Sequence, residues 1–378
     1  MNKIGIITYH AAYNYGSALQ AYATQCAVEK LGYKAEIINY RMPEQKNIYS
    51  LYRMRYGIKT LLKDLMQFPV QKQRTERINK FEDFFKEFLN MSDECTYPDD
   101  VYQLWDNYST IISGSDQIWN KHSLELENVG MEYMQPYLLH GFGGKKISYA
   151  SSVANMTDDE LKLIVADVSK FVALSMREKR SALKMTDLMN RKVDSVVDPT
   201  FLLNKADWID KLNIQKKKNN DKYILYYSLA GIKPLKKDMA NLKKIANEKG
   251  IRVKVITPFA YVRFNDSTIE MHPEAGPRKF LELIYNAEMI VTNSYHGTIL
   301  SLNLGKNVYS ICENGGSEFR KTEILERLGL KNRIVSGTNE LLTNIFTDID
   351  YAIVDKKLSA LRAESYQYLE QSLIENKV

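Results

Sequence analysis

Hydrophobic positions along the chain follow two periods. Short apolar runs bounded by turn residues mark buried strands, and stretches with apolar residues three and four apart mark helices packed on them. Lys3–Thr8 predicts a strand, Ser17–Leu31 a helix closed by Gly32, and Ala35–Tyr40 a second strand, which together make a βαβ unit. Helical, Tyr- and Lys-rich sequence fills roughly 51–90 within an insertion at about 45–95. Further strands are predicted at Thr110–Ser113, Lys146–Ala150, Ala173–Ser175 and Ser195–Val197. Asn213–Lys222 is polar and lysine-rich with little to bury, which puts a linker there or just before it.

A second alternating series follows: strand Tyr223–Ser228, helix Lys236–Lys249 ended by Gly250, strand Arg252–Ile256, helix Pro277–Asn286 and strand Met289–Thr292. His296–Leu304 and Val308–Cys312 add a helix and a strand, and a last helix covers about 360–375. At 378 residues the chain exceeds the size at which one core keeps growing. The expected fold class is therefore α/β, with two doubly wound, Rossmann-like domains facing across a cleft, 1–208 and 209–378.

Charge and cysteine content narrow the setting. Residues 51–80 hold eight basic and two acidic side chains, the whole of the net excess of +6. In that segment Leu51, Met54, Ile58, Leu61, Leu62 and Leu65 fall on one helical face. Such a helix either packs on its own domain with a solvated basic face or lies on an anionic membrane surface. No nucleic-acid motif is present, and a pI near 8.8 is below the strongly basic footprint of such proteins, so nucleic acid is not an expected partner. Cys26, Cys95 and Cys312 have neither metal-site spacing nor a disulfide framework. The first residues run straight into a strand, and nowhere is there the run of about 20 apolar residues that a membrane span requires. The expected location is the cytoplasm, free or at the inner face of the membrane.

Candidate chemistry gathers at turns. In Val291-Thr292-Asn293-Ser294-Tyr295-His296-Gly297-Thr298, His296 stands between the end of a strand and the start of a helix. Open α/β sheets bind ligands at that edge, and a helix start presents N–H groups to anions. Gly297 lets a backbone approach a ligand closely. The same turn also reads as a cap in which Asn293 or Ser294 satisfies the helix end and His296 is a packed polar residue.

The first strand-to-helix turn, Tyr9–Ser17, lacks the G-x-G-x-x-G spacing, which disfavours NAD. Its Asn14, Gly16 and Ser17 resemble a capped nest for an anionic or hydroxylated ligand. Gly114-Ser115-Asp116-Gln117-Ile118-Trp119-Asn120 offers small polar groups, a carboxylate and a ring that suit a sugar; the alternative is a capped turn with Trp119 in the core. Arg177, just past an apolar strand, is either a bidentate partner for a carboxylate or phosphate ligand or an ion-pair partner of Glu178. Asp198 reads as mostly structural.

Taken in order, Asn14-Tyr15-Gly16-Ser17-x-Leu19-Gln20-x-Tyr22-Ala23, Ser113–Asn120, Ser148–Ser152, Ser175-x-Arg177-Glu178, Asp198-Pro199-Thr200 and Thr292–Thr298 resemble the polysaccharide pyruvyl transferase family over about residues 3–312. The resemblance implies a fold similar to GT-B glycosyltransferases. It also implies transfer of the enolpyruvyl carbons of phosphoenolpyruvate to a sugar, as a cyclic ketal, on a polysaccharide or its lipid-linked precursor. The first domain would then be the acceptor side and the second the donor side.

On this reading His296 and Asp116 are the catalytic groups. Arg177, Asn14, Gly16, Ser17, Ser115, Trp119, Asn293, Ser294, Tyr295, Gly297 and Thr298 bind substrate, and the reaction calls for no cofactor and no metal. Histidine titrates near neutrality and serves as either acid or base. Some members carry arginine where this chain has Ser294, so Lys306, Arg320 or Lys321 would have to supply the missing cation. Two other readings remain: a GT-B glycosyltransferase using a nucleotide sugar, and a non-catalytic glycan-binding protein on the same fold.

Overall fold

The computed structural model describes residues 3–53, 56–217, 221–259, 262, 264–312, 318–343 and 347–374. Of the positions discussed above, Met54, Arg55, 218–220 of the linker and Glu375 lie outside the described residues. The chain divides into two compact units. One comprises Met1–Arg55, Phe85–Leu203 and Ser359–Val378, the other Tyr56–Phe84 and Asn204–Leu358. The pattern of strands and helices divides the chain once, at 208/209, whereas the units exchange two segments.

The first unit is built on β1 (Lys3–Ile7), β2 (Lys34–Ile37), β3 (Thr110–Ser113) and β4 (Lys145–Ser148), all parallel in the order β2-β1-β3-β4. β1, β3 and β4 are buried almost throughout, as parallel strands covered on both faces must be. Ile7 pairs with Ser113 and Ser113 with Ser148, so the three strands end level with one another. β5 (Ser175–Met176) and β6 (Asp194–Ser195) form a parallel pair linked to the end of β4 by the Ser151–Met176 bridge.

The helix Tyr15–Lys30 leaves the end of β1. Asn14 caps it by accepting the Gly16 N–H, and buried Ala18, Ala21, Ala23 and Ala27 let it be covered on nearly every side. The same unit takes the helix Tyr351–Leu373 from Ser359 onward. Val197 N–H donates to Ser365 Oγ at 3.0 Å, and Tyr368 OH donates to the Ser148 carbonyl at 2.8 Å. That helix begins well before the expected 360. Asp350 accepts the Ala352 N–H, Val354 and Leu358 are buried, and Asp355–Lys357 occupy its solvated face.

The second unit carries a parallel sheet in the order β12-β11-β10-β7-β8-β9. Its strands are β7 (Tyr223–Tyr227), β8 (Arg252–Ile256), β9 (Ile269–Met271), β10 (Met289–Thr292), β11 (Asn307–Ile311) and β12 (Ile334–Val335). β9 and β12 are too short to show a period and were not expected. The helix Ile232–Lys249 starts before Lys236 because Pro234 fits its first turn, and it ends at Gly250 in the left-handed region. Thr292 pairs with both Tyr227 and Ser310, which aligns the ends of β7, β10 and β11. In the basic segment, Ile58, Leu62 and Leu65 of the helix Ile58–Leu65 are exposed, as are Met66 and Phe68.

Candidate active site

In the first unit the turns after β1, β3 and β4 converge. Gly114 has φ +130°, and a Cβ there would lie 2.1 Å from the Tyr149 carbonyl, so only glycine lets the β3 turn pass β4 this closely. Asp116 follows in the left-handed region at φ +72°, a conformation that Asp tolerates better than most residues. Its carboxylate accepts from Ser17 Oγ at 2.8 Å and from the Gln117 N–H at 2.9 Å. Ser115 is wholly buried. Its N–H donates to Gln20, its hydroxyl to the Ala150 carbonyl, and its own carbonyl accepts from Thr8, so it ties strands together rather than facing a ligand.

Besides Ser115, two more expected ligand contacts are corrected. Trp119 is fully buried, packed edge-on to Phe171 and donating to the Tyr137 carbonyl at 2.9 Å. Its ring belongs to the core and offers no face to a sugar. Arg177 is also buried, and its guanidinium is surrounded by carboxylates: Glu178 at 3.1 Å, Asp198 at 3.0 Å and Asp116 at 3.8 Å. The anions that the sequence reading assigned to a donor are thus supplied by the protein. Glu178 also accepts from Ser152, and Asp198 from the N–H and hydroxyl of Thr200. The chain Ser17–Asp116–Arg177–Asp198–Thr200 holds Asp116 in place. Asn14 and Gly16 sit at the helix start of this edge, Asn14 half-buried.

Glu125 and Tyr49, absent from the sequence reading, join the same unit. Tyr49 OH donates to Glu125 Oε1 at 2.8 Å, and Tyr9 OH and Ser123 Oγ lie 2.9 Å apart. Burial, reinforced by the charge of Asp116, pushes the Glu125 carboxyl up to about 7. No local signal marks Glu125, because its partner lies 76 positions away in the chain.

In the second unit Ser294 is the N-cap of the helix Tyr295–Asn303, accepting the Gly297 N–H at 3.2 Å, while Thr292 Oγ accepts the Ser294 N–H. Gly297 is confined by packing. A Cβ would meet Thr292 Oγ1 at 2.7 Å and the Tyr227 ring at 2.8 Å. Thr298 is turned inward to Ser310, and Asn293 Oδ1 accepts the Leu229 N–H. His296 is buried with 9% exposure, edge-on to the half-buried Tyr295 ring at 5.2 Å.

Of the three cations considered for the place of the missing arginine, Arg320 and Lys321 lie by this turn, and Lys321 already has Glu318 at 2.6 Å. Lys321 is buried and donates to the carbonyls of Asn293 at 2.8 Å and Ile311 at 2.6 Å. The Arg320 guanidinium lies 5.8 Å from the Tyr295 ring. Lys306 precedes β11 and therefore sits at the opposite edge of the sheet. Among the described residues no group of three or more His, Cys, Asp or Glu side chains is placed to hold a metal ion.

The family model for "Polysaccharide pyruvyl transferase" matches residues 14–311, most of the chain. No match was found among curated proteins. Among solved structures the chain is similar to the UDP-GlcNAc 2-epimerase of Methanocaldococcus jannaschii, at 11% identity over 96% of this chain and 99% of that one, with a TM-score of 0.52. It is also similar to the UDP-GlcNAc 2-epimerase of Neisseria meningitidis bound to UDP-GlcNAc, at 10% identity over 100% and 95%, with a TM-score of 0.51. At such identities the likeness is one of fold, and the fold is of the GT-B type.

Proposed function

Because the chain belongs to the polysaccharide pyruvyl transferase family, we propose that it moves the enolpyruvyl group of phosphoenolpyruvate onto a sugar of a polysaccharide or its lipid-linked precursor and closes it as a ketal. One juxtaposition supports this reading beyond the family itself. His296 stands at the start of the helix Tyr295–Asn303, and the Asn293 carbonyl on the turn before it is tied at 2.8 Å to the Lys321 ammonium, which Glu318 neutralises at 2.6 Å. A helix start and an imidazole together suit a donor that carries both carboxylate and phosphate, with Lys321 fixing the turn that presents them.

In the reaction a sugar hydroxyl adds to the central carbon of phosphoenolpyruvate while the methylene carbon takes a proton, and the hydroxyl proton passes to a base. Phosphate then leaves, a second hydroxyl bonds to the same carbon, and its proton departs with the phosphate. His296 and Asp116 are assigned to the proton transfers, and the helix start at Tyr295 to the donor anion. Mass spectrometry of lipid-linked glycans incubated with phosphoenolpyruvate should show the pyruvyl increment together with released phosphate. Product formed only from a nucleotide sugar would replace this reading with glycosyl transfer, and binding of glycan without product would leave a non-catalytic glycan-binding protein.

The exposed Ile58, Leu62, Leu65, Met66 and Phe68 lie in the basic stretch, a composition that fits the surface of an anionic bilayer where a lipid-linked acceptor resides. Among the described residues no helix is long and apolar enough to cross a membrane, so contact would be peripheral. Flotation with anionic vesicles should be strong at low salt and weaken as screening shortens to about 10 Å at 0.1 M. Absence of flotation at low salt would assign the acceptor to a route without membrane contact.

A further inference from the structure

A ketal differs from a simple ether in needing two hydroxyls of one sugar, and the groups described so far on the acceptor side attend to only one. The first unit also holds the buried carboxyl of Glu125, near enough to Asp116 to feel its charge; the two residues keep 7% and 8% of their surface exposed. Tyr49 OH donates to Glu125 at 2.8 Å, and the half-buried Tyr49 ring stands edge-on to Tyr13, 5.8 Å away, on the turn that carries Asn14. The strand side is closed by Tyr9, whose hydroxyl meets Ser123 at 2.9 Å. We propose that Glu125, presented by Tyr49, is the acceptor-side residue that holds the second hydroxyl of the sugar while Asp116 attends to the first.

The proposal rests on the pyruvyl-transfer reading, since glycosyl transfer needs one hydroxyl only. The groups acting on Glu125 fit the role. Burial dominates, Asp116 and Glu127 add negative charge, the Tyr49 hydrogen bond opposes them, and Tyr9 and Tyr137 in turn feel the Glu125 charge. With its carboxyl pushed up to about 7, Glu125 carries a proton below neutrality and is then a hydrogen-bond donor as well as an acceptor. Ionisation removes the donor, so acceptor binding should weaken as pH rises through about 7.

Two measurements test it. In protein carrying 13C-labelled glutamate, one side-chain carboxyl resonance should titrate near pH 7 and be missing from Glu125→Gln; titration of that resonance in the ordinary carboxylate range overturns the protonated state. With a glycan shown to be pyruvylated, Glu125→Ala should raise the acceptor KM by about tenfold, the loss of one well-placed hydrogen bond, with a smaller change in kcat. Glu125→Gln, which keeps a neutral donor, should recover most of that loss at pH 7 and abolish the rise in KM above it. An unchanged acceptor KM in folded Glu125→Ala overturns the role. If the wild-type protein pyruvylates no glycan, the functional reading fails and the role in holding a diol falls with it. The carboxyl titration needs no substrate and separates that failure from an error about Glu125 itself.

Discussion

The two units offer the same architectural opening, the level ends of parallel strands, and fill it differently: carboxylates in excess in one, an imidazole beside a balanced ion pair in the other. At the ends of β1, β3 and β4 stand Asp116, Glu178, Asp198 and Glu125, with one guanidinium among them. At the ends of β7, β10 and β11 stand His296 at a helix start and the Lys321 ammonium, with Glu318 at 2.6 Å from it. Strand-end geometry alone therefore does not choose a ligand. The side chains that the turns deliver do: carboxylates suit the hydroxyls of an acceptor, and an imidazole at a helix start suits an anionic donor.

The largest expected effect breaks the first of these environments. Arg177→Ala leaves three buried carboxylates facing one another and should cost about 3–5 kcal/mol of stability, read from urea unfolding. Arg177→Lys sharpens the contrast, because it keeps the charge and loses the fork. If stability holds and only the donor KM rises, Arg177 returns to the donor site expected from the sequence.

Next comes His296→Ala, expected to lower turnover roughly 100-fold while the fold survives, as loss of a general acid or base does. A loss confined to the donor KM would make His296 a phosphate ligand, and wild-type turnover would remove it from the mechanism. The smallest effect is that of Lys321→Met, which retains the length of the side chain. The donor KM should rise about tenfold, as the Asn293 turn loses one hydrogen bond that holds it, and acceptor kinetics should stay put. A shift in acceptor KM instead would erase the division of labour between the two charge environments.

What sequence could reveal follows this division. The turn around His296 was legible because its determinants are local: an apolar strand, the Ser294 cap three residues before Gly297, and helical spacing after it. So was the capped start at Asn14. Asp116 was legible as a polar turn residue, although its partner Ser17 lies 99 positions away. Trp119 and Arg177 show where local reading fails. An aromatic ring after a small-residue turn and an arginine after a strand look alike whether they face solvent or core, and only the distant Phe171 and Asp198 settle the matter. Glu125 was invisible for the same reason. The start of the helix at Tyr351 was hidden as well, because the charged run Asp355–Lys357 masks the buried stripe of Val354 and Leu358.

The closing helix has a consequence for how the molecule is made. Its last half hydrogen-bonds to Ser148, Val197, Phe201 and Leu202, all in the first unit, while every segment of the second unit lies before residue 359. On the ribosome, the unit that emerges first is thus the one that is completed last. Until residues near Tyr368 leave the exit tunnel, the backbone groups of Ser148 and Val197 lack those partners. A chain stopped short of residue 359 would carry every segment of the second unit together with an unfinished first.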